Sequence, residues 1–313
     1  MTAYLDELRR LVDGALARAL PQAGDAPALV VEAMQYSLGA GGKRLRPVLA
    51  LAAADAVGAA NHLAPATARA YALPIAAALE LIHTYSLVHD DLPAMDDDTR
   101  RRGRPTSHVI YGDGLAILAG DGLLTEAFAL LTEPRSRVVP GGPWADPATR
   151  LDAAFVIARA AGAAGMVGGQ AIDLHAAGKT PGSVAQPRAL DAGALRDMHL
   201  RKTGALLQAA AVAGGIAAGA TPDQRARLES YGADLGLAFQ IVDDLLDVEG
   251  TDAALGKTAG KDAAAGKPTY PALFGMDASR ALAAECVERA AASAQALGGR
   301  LPELARVVLA RRS

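Results

Sequence analysis

Apolar residues recur along this chain every three to four positions, and the recurrence breaks only at short stretches rich in Pro, Gly, Asp and Thr. That period places apolar side chains on one stripe of an α-helix. Alternation with a period of two never lasts more than a few residues, so strands are not expected. The pattern predicts helices over about 3–20, 27–39, 43–58, 65–91, 113–132, 147–176, 190–218, 222–249, 268–275, 277–297 and 302–311, the sixth broken near Gly168 and Gly169. Most connectors are short and carry turn residues, as in LPQAGDAP and GATPDQ. The exception is TEPRSRVVPGGPWADP, residues 132–147, which reads as a flexible excursion with Trp144 as its anchor against the body. No linker divides residues 1–313, and we expect one all-α domain.

Composition narrows the reading. Hydrophobic residues make up 51% of the chain but aromatic ones only 4%, so the core is built mainly from Ala, Leu and Val. A net charge of -3 supplies no bulk field for nucleic acid, and any anion must be held by local cationic clusters. The single cysteine, Cys286, has no partner for an internal disulfide and is expected to pack as a small hydrophobe on a late helix. Acidic Asp6, Glu7 and Asp13 stand among the N-terminal leucines, which reads as an amphipathic helix and neither a signal nor a transit peptide; a cytoplasmic location is expected. Thr203 to Pro222 carries no charge, yet Ala and Gly dominate it and Gln208 interrupts it. A buried helix is expected there, with no stable membrane insertion. Gly162, Gly165, Gly168 and Gly169 in AGAAGMVGGQAIDL imply close helix packing, with Gln170 and Asp173 able to line a cavity.

The candidate chemistry begins at SLVHDDLPAMDDDTRRRGRPT, where five aspartates within nine positions precede four arginines. Two carboxylates about 4 Å apart repel by roughly 4 kcal/mol at an effective dielectric near 20, so convergent aspartates need cations. A second acidic run, AFQIVDDLLDVEG, interrupts another apolar helix with Asp243, Asp244 and Asp247. Asp243 and Asp247 are four apart, about 40° around a helix, and share a face. Asp90 and Asp96 are six apart, but Pro93 between them should end or kink the helix and let Asp96 fold back. Oxygen-only ligand sets suit Mg²⁺, which keeps waters and bridges to substrate phosphates; no His/Cys set has zinc spacing.

Phosphate-binding cations accompany these carboxylates. GAGGKRLRP places Lys43 and Arg46 three apart near a predicted helix N-terminus, Arg101 and Arg102 follow the first acidic run, and Lys202, Lys257 and Lys267 flank the second. Together they suggest a diphosphate site. His83 stands seven positions before Asp90, two turns away on the same face, and reads as part of it; His89 points elsewhere and reads as a packing group.

At this point the chain resembles the trans-isoprenyl diphosphate synthases, most closely the bacterial farnesyl diphosphate synthases. The resemblance runs from about Met34 to Leu273 through GGKRLRP, LIHTYSLVHDDLPAMDDD, RRGRPT, LAGDGLL, GMVGGQAIDL, KTGALL, FQIVDDLLDV and GKPTYPAL. It extends to the two extra residues between Asp91 and Asp96 relative to the shorter Asp-Asp-x-x-Asp form. It implies an isoprenoid synthase fold, a bundle of mostly antiparallel helices around a deep central cavity, usually as a homodimer. It further implies Mg²⁺, three ions per site, on Asp90, Asp91 and Asp96 from one wall and on Asp243, Asp244 and Asp247 from the facing wall. Arg101, Lys202, Lys257 and Lys267 would hold the allylic diphosphate, and Lys43, Arg46, His83 and Arg102 isopentenyl diphosphate. Thr203 and Gln240 would lie beside the carbocation. The released diphosphate would remove the proton, so no side-chain base is expected.

Chain length is the open part of this reading. Substrates would be dimethylallyl and geranyl diphosphates, with a fifteen-carbon product as the expectation and geranylgeranyl or longer chains as the alternative. A terpene cyclase fits less well, because Lys43, Arg46 and Arg102 provide for a second diphosphate. A non-catalytic regulatory subunit fits less well with two intact acidic motifs. On an ideal wheel Ser86 lies within about 40° of Asp90 and Tyr85 about 140° away, so geometry favours Ser86 as the cavity residue. The resemblance favours Tyr85, an aromatic five places before the first Asp, as the pocket floor.

Overall fold

Helix ends fall where the side-chain chemistry changes. Pro65 opens the longest helix of the N-terminal half and that helix stops at Asp90, just before Pro93, which cannot donate to a helical carbonyl. This computed structural model describes residues 1–22, 24–180, 190–249 and 269–310. Two compact units emerge, one of Met1–Phe155 with Ala213–Ala220, the other of Val156–Val212 with Thr221–Ser313.

The first unit holds α1 (Thr2–Leu16), α2 (Ala28–Leu38), α3 (Leu45–Ala60), α4 (Pro65–Asp90), a hairpin of β1 (Arg100–Arg101) and β2 (Arg104–Pro105), α5 (Ser107–Tyr111) and α6 (Asp113–Thr132). α7 (Pro147–Ala161) begins in this unit. α4 is the spine, packed chiefly against α6 and α3. Ala50, Ala52, Ala53 and Ala54 on α3, and Ala76, Ala77 and Ala78 on α4, are wholly buried, so a core of small side chains brings backbones close, as the composition predicts. Among the described residues, length and apolarity sufficient to cross a bilayer occur in α4, α6 and Pro147–Ala176, and not in the charge-free run at 203–222. In α4, 78% of that apolar window is buried against protein; in α6 only 39% is, leaving Ile117 and Leu118 exposed.

The second unit continues with α8 (Met166–Ala176), α9 (Ala192–His199), a π turn (Leu200–Gly204), α10 (Ala205–Ala217), α11 (Pro222–Glu249), α12 (Tyr270–Phe274), α13 (Met276–Gln295) and α14 (Leu301–Leu309). α11 packs mainly on α13. Tyr231 is fully buried and donates its hydroxyl to the Leu301 carbonyl at 3.0 Å. Cys286 is buried on α13 as expected.

Four expectations change. The break in the sixth predicted helix falls at 162–165, while Gly168 and Gly169 lie inside α8. Residues 190–218 are not one α-helix, because the π turn inserts at Leu200–Gly204. The hairpin and α5 went unforeseen, since two-residue strands are too short to show alternation. Finally, the 133–146 connector is pinned rather than loose. Trp144 donates to the Glu133 carbonyl at 3.1 Å, Arg150 lies 5.3 Å over the indole, and Arg137 pairs with Glu126 at 2.7 Å.

His199 gives the second unit a pH dependence. It is buried beside the Tyr270 ring, and burial pushes its imidazole down to about 4, against the pull of Asp173. The unfolded chain takes up this proton below about 6.5 and the folded one only below about 4. Stability should therefore be complete above 6.5 and decline as pH falls towards 4, by at most about 3 kcal/mol from this group. Denaturant unfolding at pH 7.0, 5.5 and 4.5 should show a shallower decline in His199→Gln than in the wild type, and equal slopes would refute this assignment.

Candidate active site

Pro93 shapes the first acidic turn. With α4 ended at Asp90, the Asp96 N–H donates to the Asp90 carbonyl at 2.8 Å and the Asp98 N–H to the Asp91 carbonyl at 3.1 Å. Asp96 thus folds back to Asp90, as the sequence predicts, and both remain partly exposed. Asp91 differs. It is buried, and its carboxylate accepts from Arg101 Nε at 2.8 and 3.0 Å and lies 2.6 Å from Arg101 Nη2. Burial pushes its carboxyl pKa up while those hydrogen bonds pull it down. Both of its oxygens face the Arg101 guanidinium, so in this structure it is Arg101's partner.

On the basic side, α3 starts at Leu45, so Lys43 does not share a helical face with Arg46. Arg44 caps α3 with a left-handed backbone, φ 50°, and Lys43 is exposed on the glycine loop before it. Arg46 is buried, its Nε has no hydrogen-bond partner, and burial lowers its pKa to about 10 despite the field of Glu80. Arg102, exposed, lays its guanidinium on Gly42, where a Cβ would overlap it, and donates to the Gly41 carbonyl. His83 is held neutral: burial, then Arg46, Arg102, Arg101 and Arg44, keep its pKa well below the ordinary imidazole range. The fold thus brings together Arg46, His83, Arg101 and Arg102 of the predicted set and adds Arg44 and Glu80. Sequence reasoning passed over Glu80, although a lone carboxylate in an apolar helix was itself a sign of a buried cation.

In the second unit, the π turn presents Lys202 and Thr203 side by side. Lys202 Nζ lies 2.6 Å from Asp173 Oδ2, and Gly169 of α8 sits so close that a Cβ would overlap the Lys202 backbone. Thr203 Oγ1 donates to Gln240 Oε1 at 3.0 Å, and Gln240 Nε2 to Asp244 Oδ1 at 2.9 Å. Asp244 also accepts the Tyr270 N–H at 3.0 Å and is buried. Like Asp91, it is engaged by protein donors. Asp243 is partly exposed and Asp247 buried. Both amide atoms of Gln170 are buried without a hydrogen-bond partner. Lys257 and Lys267 lie outside the described residues.

Among the described residues, no group of three or more His, Cys, Asp or Glu converges tightly enough to hold a metal unaided. The two acidic motifs offer oxygen donors only, a chemistry that fits Mg²⁺ completing its shell with waters and phosphate oxygens. The chain-length pair also separates. Tyr85 is buried with its ring edge-on to His89 at 5.7 Å, and His89 Nε2 lies 3.0 Å from the Ile117 carbonyl of α6. His89 is thus the packing group expected. Ser86 is partly buried and donates to the His83 carbonyl at 2.9 Å.

Known proteins share this arrangement of motifs. The chain is 42% identical over 311 residues to the farnesyl diphosphate synthase of Geobacillus stearothermophilus, covering 98% of this chain and 97% of that one. It is equally 42% identical over 290 residues to a geranylgeranyl diphosphate synthase of Cyanophora paradoxa, covering 93% and 88%. A geranyltransferase of Helicobacter pylori, solved with magnesium and isoprenyl diphosphate, superposes with a TM-score of 0.79 at 28% identity, covering 99% and 95%. The polyprenyl synthetase family model matches residues 27–299, and the chain belongs to that family.

Proposed function

We propose that this prenyltransferase condenses dimethylallyl and geranyl diphosphates with isopentenyl diphosphate in the presence of Mg²⁺ and releases (2E,6E)-farnesyl diphosphate and diphosphate. The observation that carries the reading is the cluster of Arg46, Arg101 and Arg102 around a neutral His83, on the same helix whose end forms the Asp90–Asp96 turn. An anion site and a divalent-cation site adjoin each other, as a metal diphosphate requires. Bound Mg²⁺, three ions in this reading, would supply positive charge for the departing diphosphate, and Asp90, Asp96 and Asp243 would hold it with Asp91, Asp244 and Asp247 beside them.

The chain's own groups have separate tasks. Lys43, Arg46, His83 and Arg102 bind isopentenyl diphosphate; Arg101 and Lys202 bind the allylic diphosphate, with Asp173 orienting Lys202. Lys257 and Lys267 are assigned to the allylic diphosphate as well. Thr203 and Gln240 orient oxygen dipoles towards the carbocation, a preorganised electrostatic environment, and their mutual hydrogen bond fixes those dipoles beforehand. Tyr85 closes the pocket floor, supported by its wedge on His89 and α6. The exposed apolar Val109, Ile110, Ile117 and Leu118 of α5 and α6 pack against a second copy.

Three measurements test this reading. Asp243→Asn, like EDTA treatment of the wild type, should lower turnover by at least about a hundredfold; full turnover in either case would exclude a metal role for Asp243 or for Mg²⁺ respectively. Chromatography of the dephosphorylated products should show chiefly fifteen carbons from the wild type and twenty from Tyr85→Ala, whereas a wild type making chiefly twenty carbons would overturn the length assignment. Leu118→Glu should convert a dimer to a monomer in light scattering, and an unchanged mass would move the interface elsewhere.

A further inference from the structure

Glu80 lies in the middle of α4 and is 2% exposed, in a stretch where every neighbouring side chain from Leu79 to Ile82 is buried. A carboxylate so placed needs a cation. It has Arg44, whose Nη1 stands 2.7 Å from Glu80 Oε1, and the same guanidinium reaches Asp13 of α1 at 3.1 Å and the Leu38 carbonyl of α2 at 3.2 Å. Arg44 therefore ties three helices together from the N-cap of α3. We infer that Glu80 is a positioning residue for the isopentenyl diphosphate site: its carboxylate fixes Arg44 and supplies the counter-charge that keeps Arg46 and Arg102 assembled before the anion arrives. This rests on the substrate assignment given above.

Three observations support it. The loop Gly41–Lys43 is clamped from both ends, by Arg44 on one side and on the other by Arg102, which lies on Gly42 and donates to the Gly41 carbonyl. Arg46 is buried with its Nε lacking a hydrogen-bond partner, a donor left for a ligand to satisfy. Finally, Glu80 acts on the cations of the site itself: its field favours the charged forms of Arg46 and Arg102, while burial and the neighbouring guanidiniums oppose them. Glu80 never has to touch substrate for this. It works through Arg44, Arg46 and Arg102.

A bystander core ion pair would change stability and turnover without preference between substrates. A positioning role predicts a split. In Glu80→Gln the Michaelis constant for isopentenyl diphosphate should rise by about tenfold while that for geranyl diphosphate stays within about twofold. Glu80→Asp, which keeps the charge, should recover most of the loss. Arg44→Met should mimic Glu80→Gln, and the double variant should be no worse than the poorer single one, because both changes break one unit. An equal rise for both substrates, or additive losses in the double variant, overturns the inference. If Glu80→Gln fails to fold, Glu80→Asp and Arg44→Met carry the same comparison. If the wild type does not consume isopentenyl diphosphate, the substrate assignment fails by itself. Calorimetry with inorganic diphosphate then compares wild type and Glu80→Asp, and an unchanged dissociation constant in every folded Glu80 and Arg44 variant overturns the positioning role.

Discussion

Four guanidinium groups, those of Arg44, Arg46, Arg101 and Arg102, share the field around His83 on α4. Left to themselves they would repel one another, since like charges a few ångströms apart oppose by several kcal/mol in a medium of intermediate dielectric. They coexist because two buried carboxylates stand among them, Glu80 of α4 against Arg44 and Asp91, just past the end of α4, against Arg101. Desolvation makes each pair strict: removal of one member would leave an uncompensated charge. The remaining positive charge is what an anion can recruit. The neutrality of His83 follows first from its burial and then from the same crowding, for a fifth cation there would add only repulsion.

Geometry at the metal end depends on a different constraint. Pro93 denies the helix a donor, the chain reverses within one turn, and Asp96 returns to Asp90 by a backbone hydrogen bond. The aspartate between helix and turn, Asp91, pairs with Arg101 instead, so neighbouring carboxylates on one short segment have different surroundings. In the second unit a π turn does the corresponding work. It inserts one wide turn at Leu200–Gly204, presents Lys202 and Thr203 to Asp173 and Gln240, and is met by Gly169 because no side chain fits between.

Product length is governed by subtler physics than binding. Tyr85 is an i+5 neighbour of Asp90 and by wheel geometry points away from it, yet the field of Asp90 still raises its phenol pKa, after burial. The edge-on contact with His89, and the hold of His89 on the Ile117 carbonyl, give that ring a fixed backing on α6. A farnesyl and a geranylgeranyl diphosphate synthase are equally 42% identical to this chain, so overall identity does not fix product length.

The sequence by itself determined the helical class, nearly all helix positions, the two acidic motifs and the fold-back at Pro93, because each follows from periodicity or from local backbone chemistry within a few residues. It also identified most of the polar residues that each unit brings together: Arg46, His83, Arg101 and Arg102 in the first, Lys202, Thr203 and Gln240 in the second. Tertiary structure alone decided which protein donors engage which carboxylate. Asp91 and Asp90 are neighbours of the same type, and only the position of Arg101, ten residues on, pairs it with Asp91; Asp244 is met by Gln240 and by the Tyr270 N–H. The roles of Arg44, Glu80 and Gly169 were equally out of reach. Each depends on contact between segments distant in the chain, where burial converts an ordinary charge or an ordinary glycine into a requirement, and no local pattern encodes burial against a particular partner.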